Sequence, residues 1–180
     1  MIMSRFAPVA SLSVAVLLLA GCAKNYVVTQ PLGQALAAPV TIVVAEVTDE
    51  LPVDMPPERK PRPEDTQKLR RHLVEAITDR NIGTVQETGA DALYEVRCSL
   101  LEYKRGSGAA RFFIGFGVGN ARTTVALKLV DRKSGGEVFG GNFYGKVSSW
   151  AEGGDQMFRR VSKSFAKELA KQMKVPKAAS

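Results

Sequence analysis

The most telling chemistry in this chain stands at position 22. Leu19-Ala20-Gly21-Cys22 closes an apolar run, Val9 to Ala20, that follows the positive charge of Arg5, the three-part layout of an export signal. These four residues look like a lipobox, where a diacylglyceryl group is joined to cysteine before the leader is cut away. A thiolate is nucleophilic enough to form that thioether, and small residues before it leave the peptidase room. The run is shorter than the ~20 apolar residues of a membrane span and is interrupted by Ser11 and Ser13. With a third, amide-linked chain such as palmitate, Cys22 carries enough acyl chains for stable anchoring. Ala23 follows, not the Asp of the inner-membrane retention pattern familiar from enteric bacteria, so the expected location is the periplasmic face of the outer membrane.

Other reactive side chains are sparse. His72 is the only histidine, and Glu75 is its nearest acid in sequence. A metal site or a hydrolase base needs further partners, and the carboxylates are scattered with no His or Cys cluster. Cys98 alternates with apolar neighbours, which suits a core thiol better than a nucleophile. No catalytic, cofactor-binding or metal-binding residues are therefore assigned, and the chain is expected not to be an enzyme.

Two stretches could make contacts. Gly106 to Gly119 is glycine-rich, but phosphate-binding loops deliver their N–H groups to a helix N-terminus, and these glycines run into a strand. Phe113, Phe116 and Val118 within it form either a partner surface or a cover over one end of the core. Two pore-forming strands of ~9 to 11 residues each would not fit. Arg160, Lys163, Lys167, Lys171 and Lys174 recur every three or four residues near the C-terminus. They form either a solvated helix face or a contact for an anionic membrane surface or polymer.

These residues must be carried by one domain. Removing residues 1–21 leaves 159 residues with 24 basic and 18 acidic side chains, a net charge of +6. That suits one core. The mild basic excess comes without zinc-finger, recognition-helix or RNA-binding signatures, so nucleic acid is not an expected partner. With Cys22 acylated only Cys98 remains, and no intrachain disulfide can form.

Residues 22–39 read as lipid anchor and flexible tether, with a root-mean-square span on the order of 20 to 25 Å. The domain, 40–175, opens with the apolar run Val40 to Val47, expected as a central strand covered on both faces. Proline-rich Leu51 to Pro63 is a loop. Leu69, Leu73, Ala76 and Ile77 predict a helix over Glu64 to Asn81, with Asn81 and Gly83 as stop signals. Thr84 to Glu87 is a short strand, and Ala92 to Lys104 alternates as a half-buried one. Thr123 to Asp131 and Glu137 to Ser148 form a hairpin around Asp131-Arg-Lys-Ser-Gly-Gly136. A last helix spans about Asp155 to Met173, with Phe158, Val161, Phe165 and Leu169 inward and Asp155 as its cap. The expected class is α+β: one mixed, mainly antiparallel sheet in β-α-β-β-β-α order, with both helices on one face.

Gly115-Phe-Gly-Val-Gly119, Thr123 to Val130, Asp131-Arg-Lys-Ser-Gly135 and Glu137-Val-Phe139 together resemble a bacterial lipoprotein family, domain of unknown function 4410, over roughly Pro39 to Met173. These motifs are structural turns, so the resemblance implies no reaction. In element order the chain is also similar to the TolB amino-terminal domain and to lipoproteins that activate cell-wall synthases, a fold analogy only. The expected function is a non-enzymatic envelope adaptor, anchored at Cys22 and facing a protein or cell-wall partner. The alternative is an enzyme or ligand-binding protein acting on envelope glycans or lipids. A polar pocket at His72 or at grouped carboxylates, under the glycine-rich stretch, would favour the alternative.

Overall fold

The computed structural model describes residues 25–36, 39–106, 120–147 and 155–174. The strands are β1 (Tyr26–Gln30), β2 (Thr41–Asp49), β3 (Thr84–Gln86), β4 (Tyr94–Lys104), β5 (Ala121–Asp131) and β6 (Glu137–Val147). The helices are α1 (Pro63–Thr78) and α2 (Gln156–Gln172). The strands form one sheet in the order β1-β6-β5-β4-β2-β3. β2 runs parallel to β3 and β4, a pairing made possible by the crossover through α1. The remaining pairs are antiparallel, and α1 and α2 pack against each other on one face. The α+β expectation holds.

Alternation explains the core. Val96, Cys98 and Leu100 of β4 lie opposite Leu129, Leu127 and Val125 of β5. Leu129 and Val125 lie in turn beside Phe139 and Phe143 of β6. All of these face the helices and are buried, because side chains two apart share one face of a strand. The other face is solvated and carries paired charges: Arg97 with Glu95, Arg122 with Glu102, and Lys128 with Glu137.

α1 buries the four predicted apolar positions. It ends where Asn81 adopts a left-handed conformation, φ 50°. Gly83 then lies so close to Val40 that a Cβ would stand 2.4 Å from the Val40 carbonyl oxygen. Both stop signals therefore have a structural reason.

Three expectations are corrected. Part of the tether, 26–30, is a sheet strand: Tyr26 stacks on Phe143 with ring centroids 5.6 Å apart, and the backbone pairs with β6. Leu32 and Leu36 also pack against the core. A five-residue strand bounded by polar residues shows too little periodicity to be read alone. β2 is covered on one face only, since Thr41, Val43 and Ala45 lie on the helix-free side. Asp155 occupies the N-cap position of α2, yet its side chain makes no capping hydrogen bond.

α2 lies almost on the backbone of β6. A Cβ on Gly145 would stand 2.1 Å from the carbonyl oxygen of Met157, and neither backbone can move without disturbing its element. Gly145→Ala is expected to destabilise the fold by about 1–3 kcal/mol. Gly33→Ala, with nothing within 4 Å of the added carbon, is expected to leave the chemical-denaturation midpoint nearly unchanged.

Candidate functional site

The first turns of α1 and α2 and the end of β4 meet at one edge of the domain, where most of the titratable groups of interest converge. Asp65 lies in the first turn of α1, which Pro63 opens with a preset φ. Its Oδ2 accepts the backbone N–H of Arg62 at 3.1 Å and the Tyr103 hydroxyl at 2.9 Å. Tyr103, near the end of β4, lies parallel to Phe158 of α2 with ring centroids 6.3 Å apart. This short chain of contacts links both helices to the sheet. Burial, reinforced by the hydrogen bond to Asp65, holds the Tyr103 hydroxyl well above the ordinary tyrosine range.

His72 is one turn above the Asp65 to Lys68 stretch and is buried. Its Nδ1 lies 3.0 Å from Glu75 Oε2, while Nε2 is 3.8 Å from Asp155 Oδ2 and has no hydrogen-bond partner among the described residues. Arg71 Nε approaches the same Glu75 carboxylate at 3.8 Å. His72 thus stands between α1 and the start of α2. Among the described residues no group of three or more His, Cys, Asp or Glu is arranged to hold a metal ion.

A pocket of about 260 Å³ opens beside this cluster, lined by Asp65, Lys68, Tyr103, Arg105, Asp155 and Phe158 among others. It lies where the glycine-rich stretch leaves β4. Phe113, Phe116 and Val118 of that stretch lie outside the described residues.

Cys98 is fully buried in the sheet. Burial pushes its thiol up to about 12, against an ordinary value near 9, so the nucleophilic thiolate is suppressed. Arg160, Lys163, Lys167, Lys171 and Lys174 are all exposed along α2 and its C-terminal end.

A groove of about 760 Å³ runs along β2, between the strand and α1. β3 pairs only with Thr41 to Val43, so the outer edge of β2 beyond Val43 has no strand partner among the described residues. Arg70 Nε donates to the Val44 carbonyl at 3.0 Å, and Glu46 is exposed. Neither this edge nor the Asp65–Tyr103 pair was anticipated from sequence. Asp65 at the third position of a proline-initiated helix hinted at a cap, but nothing local pointed to Tyr103.

The sequence pattern of the family described as Domain of unknown function (DUF4410) matches residues 40–154. A substituted PelC from Paraburkholderia phytofirmans, solved as a dodecamer, superimposes with a TM-score of 0.60 at 15% identity, over 80% of this chain and 96% of that chain. A second PelC dodecamer from the same organism gives 0.58 at 14% identity, over 79% and 97%. A minor lipoprotein from Acinetobacter baumannii is 18% identical over 79% and 100%, with a TM-score of 0.39. The PelC likeness is one of fold. No curated protein matches the sequence.

The raised groups make stability depend on alkaline pH. An acid whose folded value lies above its unfolded one favours folding fully below the unfolded value, and that contribution disappears as pH rises toward the folded value. Cys98 therefore contributes fully below pH 9 and progressively less toward about 12, and Tyr103 acts in the same direction from 10.0 upward. Denaturation midpoints are expected to fall above pH 9, and Cys98 to resist thiol reagents until the chain unfolds. Asp65→Ala, which removes two hydrogen bonds, is expected to cost about 2 kcal/mol, and Tyr103→Phe about 1 kcal/mol, by chemical denaturation.

Proposed function

The chain belongs to the family described as Domain of unknown function (DUF4410), and from that premise we propose that it is an envelope lipoprotein acting as a non-enzymatic interaction module. Its anchor is acylated Cys22, and its address is the periplasmic face of the outer membrane. The observation that carries the interaction role is the outer edge of β2, which beyond Val43 has no strand partner among the described residues, only the Arg70 side chain on the Val44 carbonyl, and is flanked by the groove under α1. An unpaired strand edge is a ready template for strand addition. The reactive groups support the same reading, since Asp65, His72 and Cys98 are each engaged in holding the fold.

The first partner we propose is a further copy of the chain, because the PelC proteins that share this fold were solved as dodecamers. The alternative, binding of a small envelope glycan or lipid fragment, draws support from the polar pocket at Asp65 and Tyr103.

Cys22→Ser is expected to abolish labelling by a palmitate analogue and to release the protein from membranes; continued full membrane attachment would overturn the anchor. A photo-crosslinking residue at Glu46 is expected to yield an adduct of twice the chain mass in cells, with none from the same residue at Arg97 on the open sheet face. An adduct with another identified envelope protein would keep the interaction role and replace the partner. Capture of lipid or glycan alone, or of nothing, would overturn the role.

A further inference from the structure

The strand in the expected tether changes where the domain sits. Asn25 is already fixed to the sheet, its carbonyl accepting the N–H of Tyr144 at 2.8 Å. Only three peptide links separate Asn25 from Cys22, a reach of at most about 11 Å even when fully extended. The leash is therefore far shorter than the free coil of the whole 22–39 segment.

β1 also chooses which surface lies near the anchor. Tyr26 donates its hydroxyl to Glu168 Oε2 of α2 at 2.7 Å, and the backbone N–H of Leu32 donates to Gln172 Oε1 at 2.7 Å. Glu168, the only acid on α2, is buried and turned toward β1. The outward face of α2 consequently displays Arg159, Arg160, Lys163, Lys167 and Lys171, with Lys174 just beyond its end, and no exposed acid. Lys171 comes within 3.8 Å of Glu168. No ion pair is made by Arg159, Lys163, Lys167 or Lys174 among the described residues. From Arg160 to Lys174 the stripe extends roughly 21 Å at 1.5 Å per residue. On the solvated sheet face, by contrast, Arg97, Arg122 and Lys128 each have an acid partner.

A basic stripe in which Lys163, Lys167 and Lys174 have no acid partner among the described residues, next to a short lipid leash, fits one occupant. We infer that the outward face of α2 lies on an anionic bilayer surface, so that the acylated chain docks flat and presents the open sheet face and the β2 edge away from the lipid. This rests on acylation of Cys22 as proposed above. Each basic group near such a surface adds to binding, and the effect is confined to about a Debye length, the same order as the reach of the short leash. An anionic polymer would satisfy the charge but would not explain why the helix that carries the stripe is bonded to the strand that follows the anchor.

The test uses the full acylated protein in phosphatidylethanolamine vesicles with or without phosphatidylglycerol. A fluorophore is placed at Ser164→Cys on α2 or at Arg97→Cys on the sheet face, and the vesicles carry a headgroup-labelled quencher lipid. The α2 probe is expected to be quenched when phosphatidylglycerol is present and the sheet probe is not. High salt, or combined Lys163→Gln, Lys167→Gln and Lys171→Gln, should relieve that quenching. Equal quenching at both positions, or quenching that survives the triple substitution, would overturn the inference. Failure of the anchor itself is seen separately, as an unmodified intact mass and loss from phosphatidylethanolamine vesicles. In that event, or with Cys22→Ser, partition into phosphatidylglycerol vesicles still reads the stripe: the triple substitution should weaken it on the order of 100-fold, and an unchanged partition would overturn the docking surface.

Discussion

Phe165 of α2 sits between two rings of β6, 5.7 Å from Phe139 and edge-on to Phe143 at 5.4 Å. Much of the architecture depends on this contact. The described chain has no disulfide, and the sheet is covered on one side only, so the helices must supply the whole apolar layer. Removing a buried phenylalanine ring of this kind typically costs 3–5 kcal/mol. Phe143 also stacks on Tyr26, which joins the edge strand to the same cluster. Gly145 extends the contact by letting the first turn of α2 rest on the β6 backbone. Once α2 is held in this way its rotation is set. Its apolar stripe faces β6, Glu168 faces β1, and its basic residues have only the outward direction left.

That arrangement ties stability to the proposed role. The groups with chemical potential are used inside: Asp65 secures the start of α1 and receives Tyr103, His72 stands between the helices, and Cys98 is sealed in the sheet. Polar groups buried in this way need partners, because an unmet donor or acceptor is costly. Among the described residues, backbone at the β2 edge and charge along α2 are left for contact. Both features suit docking, which is the physical ground for the proposed interaction module.

The pocket at the helix starts stands apart from that division. Its carboxylates are grouped, as a ligand site would require, yet Asp65 already has two hydrogen bonds and Lys68 and Arg105 set basic charge around it.

By itself the sequence determined the elements whose periodicity is local: both helices, with their buried stripes, the alternating strands β4, β5 and β6, and the turn between the last two. It also determined the composition of the basic stripe and the place of Cys22 directly after the apolar run. Local pattern suffices there because an apolar residue two or four positions from another reports a shared face whatever the fold. The tertiary structure alone decided the rest. β1 is a strand because Tyr26 finds Phe143 and Glu168, both distant in sequence. Tyr103 meets Asp65, and the outer β2 edge has no further strand partner among the described residues because β3 stops after three residues. Each of these is a pairing between residues far apart in the chain, set by how the sheet and helices pack, and no periodicity along the chain encodes it.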